Sequence, residues 1–118
     1  MIIPLNTEML AHAYDYLSAT PPYKRWNLPA SDEVRFGIIR SRKKCAHCFW
    51  DGTTHVIELF SSKNVGSHDM ILSTMAHEMV HMHMDMTGIM KTDNPHDAAF
   101  QKFADRVCKI HQFDRLAF

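Results

Sequence analysis

Apolar residues recur at three- and four-residue spacing in three stretches of this chain and alternate with polar ones in a fourth, which predicts three helices around a small sheet. Met9, Leu10, Ala13, Tyr14 and Leu17 make the first helical stripe. Asn6 or Thr7 is placed to cap that helix, and Pro21-Pro22 to end it after about Ser18. The segment Tyr23 to Ser31 has no clean period and is expected to be an ordered loop with Trp26 anchored in the core. Val34, Phe36 and Ile38 then alternate with Glu33, Arg35 and Gly37, and two further β-rich runs cover Cys45 to Trp50 and Thr54 to Phe60. Asp51-Gly52 is a hairpin signal between the last two. Three antiparallel strands are expected.

After a polar connection from Ser61 to Asp69, capped by Ser67 or Asp69, comes a stretch that ends at Gly88, a natural residue to follow a helix. Met70, Ile71, Leu72, Met75, Ala76, Met79, Val80, Met82, Met84 and Met86 leave this helix apolar nearly all round, as befits one at the centre of a domain. Met75, Met79, Met82 and Met86 share one face and are expected to fill core, with Met84 and Met90 left open. For the last helix, Asp93 or Asn94 is the expected N-cap and Pro95 the first helical residue. Phe100, Phe103, Val107 and Ile110 form its packing stripe.

The central helix contains His77-Glu78-Met79-Val80-His81, and His96 follows fifteen residues later. A helix turns about 100° per residue, so His77 and His81 lie one turn apart on one face and can share a metal ion. Glu78 projects beside that face, where a carboxylate can serve as general base without being a ligand. A zinc ion there lowers the pKa of a water molecule from about 15.7 toward roughly 7 and polarises a carbonyl. Catalytic zinc takes three protein ligands, and His96 is the expected third, ahead of His55, His68 and His83. His83 is turned about 200° from His81 and cannot face the same ion. Asp85, one turn beyond His81, is a further ligand candidate or a partner for His81. Two histidines and a glutamate inside so apolar a helix demand a partner of some kind.

The run Thr74-Met75-Ala76-His77-Glu78-Met79-Val80-His81 and the element His96-Asp97-Ala98-Ala99-Phe100 resemble the SprT-like metallopeptidase domain, most closely over residues 70 to 103. The family includes Spartan-type proteases that cut proteins crosslinked to DNA. The resemblance implies an α+β, zincin-like single domain over residues 1–118, with an N-terminal helix, a three-stranded antiparallel sheet, the HExxH helix and a C-terminal helix. It implies His77, His81 and His96 as Zn2+ ligands and Glu78 as the catalytic acid and base. Two departures stand out. Asp97 occupies a position where the family commonly has glycine, and the sequence stops at Phe118, before the zinc-ribbon or DNA-binding tail of many relatives.

Composition narrows the rest. A formal net charge of zero argues against polyanion binding by bulk electrostatics and leaves room for a local patch. Three cysteines and an opening Met1-Ile2-Ile3-Pro4 without a basic leader point to a cytoplasmic, not secreted, protein. No apolar run reaches the roughly 18 residues of a membrane span. Arg40, Arg42, Lys43 and Lys44, near Phe49 and Trp50, are the one basic cluster and the candidate DNA contact. Cys45 and Cys48 could join Cys108 and His111 in a second, structural zinc site, although buried free thiols suit their apolar surroundings better. Tyr23, Arg25 and His55 are candidates to stabilise an oxyanion. The leading expectation is a zinc endopeptidase acting on a protein or peptide substrate. Its alternatives are a narrow-specificity peptidase of one repressor or partner, and a catalytically silent zinc-stabilised binding module on DNA or protein.

Overall fold

A helix that is apolar on nearly every side must be covered on every side, and the rest of the chain is arranged to do so. In a computed structural model that describes residues 2–42, 46–61, 65–89 and 94–118, the order is β1 (Ile2–Pro4), α1 (Thr7–Ser18), β2 (Val34–Ile39), β3 (Ala46–Trp50), β4 (His55–Phe60), β5 (Val65–Ser67), α2 (His68–Thr87) and α3 (Ala98–His111). Short 3-10 turns at Tyr23–Arg25 and Ser31–Glu33 link α1 to β2. The helix α2 touches α1, α3 and strands β3, β4 and β5. Its Ile71, Met75, Met79, Val80, Met82 and Met84 join Leu10, Tyr14 and Leu17 of α1, Ile57 and Leu59 of β4, and Phe100, Ala104 and Val107 of α3 in one core. Met86 departs from the expected core face and is 44% exposed; Met84 packs instead, and Met90 lies outside the described residues.

The α+β class holds, but the three-stranded sheet is mixed and not antiparallel throughout. Its order is β2-β4-β3, with β2 parallel to β4 from Val34↔His55 to Ile39↔Phe60 and β3 antiparallel to β4 from Ala46↔Leu59 to Trp50↔His55. The Asp51-Gly52 turn makes the β3–β4 hairpin as expected, with Asp51 accepting from the N–H groups of Thr53 and Thr54. Alternation specifies which residues face the core and says nothing of strand direction. β4 takes the centre and buries apolar side chains on both faces: Ile57 and Leu59 point into the core, and Val56, on the opposite face, is also buried. β2, which carries Arg35, is left at one edge and β3 at the other. A second, two-stranded antiparallel ribbon pairs β1 with β5, an element that the short polar connection after Phe60 did not announce.

Caps set the ends of the helices. Asn6 accepts from Met9 N–H, Ser67 from Met70 N–H, and Gly88 closes α2 in the left-handed region at φ 66°. The start of α3 differs from expectation. Asp97, not Asn94, is its N-cap, accepting from Phe100 N–H at 3.1 Å. The Asn94 side chain instead accepts from His96 N–H two residues on, the Asx turn that competes with capping. His96 therefore sits just before α3, and Pro95 lies outside it; Asp93 is outside the described residues.

Candidate metal centre

Helical periodicity places His77, His81, Thr74 and Asp85 on one face of α2, and the Asx turn at Asn94 carries His96 over that face. The three Nε2 atoms converge: His77 to His96 is 3.1 Å, His77 to His81 3.1 Å and His81 to His96 3.2 Å. Among the described residues this is the one group of histidine, cysteine and acidic side chains able to hold a metal ion. Three imidazole nitrogens aimed at one point repel as lone pairs unless a cation or shared protons lie between them, so the donor set itself fits a metal.

At His77 and His81 protonation does not compete with that role near neutral pH. Burial, offset in part by the bond to Phe118 and reinforced by His96, pushes His77 down to about 4. Burial and the two neighbouring histidines push His81 down to about 3. Both rings are therefore neutral, and able to act as ligands, well below pH 7. Glu78 is buried, with a carboxylate oxygen 4.0 Å from His77 Nε2.

One aromatic ring floors the whole group. Phe100 lies nearly parallel to His81 with centroids 4.6 Å apart, and is 4.9 Å from His77 and 4.6 Å from His96. On the far side of His77, Nδ1–H donates to the main-chain oxygen of Phe118 at 2.5 Å, which leaves the Nε2 lone pair facing the group. These are the contacts that spacing missed. Phe118 lies 41 residues from His77, and no local rule connects such positions.

The group opens into a cleft of about 750 Å³ walled by β3 on one side and α2 on the other, with Pro95, Ala117 and Phe118 at its ends. Among the described residues its only lining side chains with a formal charge, histidines apart, are Glu78 and Asp85.

A family model described as SprT-like matches residues 8–116. The chain belongs to the SprT-like family. No curated protein matches it. The SprT-like match spans α1, both walls of the cleft and all three converging histidines, and so covers every described element except the first strand.

Other candidate residues of this SprT-like chain go elsewhere. His83 faces away from the cleft, stacked on Trp26 with centroids 3.9 Å apart, so Trp26 is the core anchor expected of it. His55 packs edge-on to Trp50 and His68 is exposed at the start of α2; neither joins the metal group, and Asp85 borders the cleft without joining it. None of the three oxyanion candidates lines the cleft: Tyr23 is buried, donating to the Ala76 carbonyl at 2.7 Å, and Arg25 borders a separate groove with Arg106. Cys48 and Cys108 are free thiols. Cys48 borders the cleft, where burial and then the charges of Glu78 and Asp85 push it up to about 12. His111 is held by Thr20 and the Pro21 carbonyl. Cys45, Lys43 and Lys44 lie outside the described residues. Arg40 and Arg42 are exposed past the end of β2, and no described helix is long and apolar enough to cross a membrane.

Proposed function

We propose that this SprT-like chain is a zinc-dependent endopeptidase with His77, His81 and His96 as ligands and Glu78 as general base. The observation that carries the proposal is the triangle of three Nε2 atoms with sides of 3.1 to 3.2 Å on the floor of an open cleft. Tetrahedral zinc with Zn–N of about 2.05 Å asks for nitrogens about 3.3 Å apart, close to the distances observed. Zinc held there would lower the pKa of water and polarise the scissile carbonyl.

The chain's own residues supply the rest. Glu78 takes the proton from the attacking water and passes it to the leaving amine, a task suited to a buried carboxylate beside the ligands. Phe100 excludes water from beneath the imidazoles. The substrate is a protein or peptide segment in extended form. β3 is the terminal strand of its sheet and all five of its residues border the cleft, so a segment can add to its outer edge through main-chain hydrogen bonds. The lining has no Lys or Arg among the described residues, which favours a polypeptide over a nucleic acid in the cleft itself. DNA contact, where it occurs, belongs to Arg40, Arg42, Lys43 and Lys44, and the compartment proposed is the cytoplasm.

The test is Glu78→Gln. That variant is expected to keep one zinc per chain and the fold while losing cleavage of a denatured protein substrate. Unchanged cleavage would remove Glu78 from the mechanism, and a wild type that takes up no zinc would remove the metal centre.

A further inference from the structure

We infer that residues 113–118 form a brace whose function is to position two of the three metal ligands. The inference rests on the proposed metal centre, and the brace itself is folded by contacts within and beside α3. The helix α3 ends at Gln112 in the left-handed region, φ 60°, and the chain doubles back. Phe113 N–H donates to the Cys108 carbonyl, and Asp114 closes a turn by accepting from Leu116 and Ala117 N–H groups. This returns Phe118 to the cleft, where its ring packs on His77 at 5.2 Å and on Phe100 at 6.3 Å.

The brace reaches each ligand by a different route. Phe118 acts on His77 directly: its main-chain oxygen accepts Nδ1–H and so selects the tautomer whose Nε2 lone pair points at the metal position. Arg115 acts on His96 through an intermediary. Its guanidinium is anchored on Asp105 at 2.6 Å and also donates to the Gln101 side-chain oxygen. With its oxygen so occupied, Gln101 presents its NH2 group to the His96 carbonyl at 3.2 Å. His81 needs no such help, because it is set by α2 and by the parallel face of Phe100. The two ligands that the brace reaches are therefore the one whose Nδ1–H it accepts and the one that lies outside a helix. Fixing ligand orientation from behind is worth about 10–100-fold in metal affinity.

Phe118 and Arg115 are positioning residues in this account, and the measurement must separate that role from mere packing. The first arm reads the tautomer of His77 by 15N imidazole NMR on the metal-free chain of residues 1–118. The Nδ1–H form is expected, and the Nε2–H form would overturn the brace. The second arm titrates zinc against a chelator in wild type, in Arg115→Ala and in a chain ending at Gln112. Zinc affinity is expected to fall by about 10–100-fold in the shortened chain and by a smaller factor in Arg115→Ala, with helix content unchanged. Affinity within about twofold of wild type in a folded shortened chain would overturn it. Arg115 is partly exposed, so its substitution leaves a folded protein to measure if the shortened chain does not fold. A wild type without zinc affinity would sink the metal centre, and the tautomer would still decide the brace.

Discussion

The two faces of α2 carry the same residue type to opposite ends. On the front, His77 and His81 turn Nε2 toward a shared point with His96 in an open cleft. On the back, two residues past His81, His83 is buried flat against Trp26 with Phe103 at its edge, and its Nδ1 has no hydrogen-bond partner among the described residues. Burial pushes His77, His81 and His83 alike below the ordinary histidine range. What separates them is direction: front imidazoles meet other donors, the back one meets carbon. A histidine in an apolar helix is thus a ligand or a core residue according to the company of its nitrogens, and a depressed pKa does not distinguish the two.

That contrast can be broken from either side. Glu78→Gln on the front is expected to lower kcat/KM by about 10²–10⁴-fold at unchanged zinc content, read by paired activity and metal assays. Trp26→Ala on the back is expected to lower stability by about 3–5 kcal/mol in denaturant unfolding while zinc stoichiometry stays the same; loss of zinc instead would show that the faces are not independent. His96→Ala should abolish the zinc-induced gain in stability, roughly 3 kcal/mol at a hundredfold excess over Kd, without moving the unfolding midpoint of the metal-free protein.

Acid sharpens the comparison further. His77 and His81 bind protons in the unfolded chain near pH 6.5 but in the native protein only at about 4 and 3, so acid favours unfolding. Stability of the metal-free protein is expected to be full above about pH 6.5 and to fall as the pH drops toward 4. The decline should be shallower in His81→Ala, and an equal slope would assign it to other groups. The smallest effect is at the cap of α3. Asp97→Ala is expected to lower stability by about 1 kcal/mol, and Asp97→Gly by only a few tenths, which would explain how the glycine common in the family serves at the same place.

Much of this was legible in the chain, for reasons of range. The ends of α1 and α2 are decided by Asn6, Ser67 and Gly88, whose effects act within a turn. His77 and His81 are paired by helical periodicity alone. The direction of β2 is not local: β4 displaces β3 from its side because Val56 needs burial on the outer face. Asn94 and Asp97 both had the chemistry of a cap, and only the turn that Asn94 makes with His96 N–H decided between them. The bond from His77 to Phe118 joins residues 41 apart and carries no sequence signal at all.

Phe100 also gives the three-histidine group a natural reporter. Its ring lies within 5 Å of all three imidazoles, at 4.6, 4.9 and 4.6 Å, and nearby aromatic rings shift one another's proton resonances according to tilt and distance. A single labelled phenylalanine would therefore register any reorientation of His77, His81 or His96, and metal loading could be followed in solution without a probe attached to the ligands themselves.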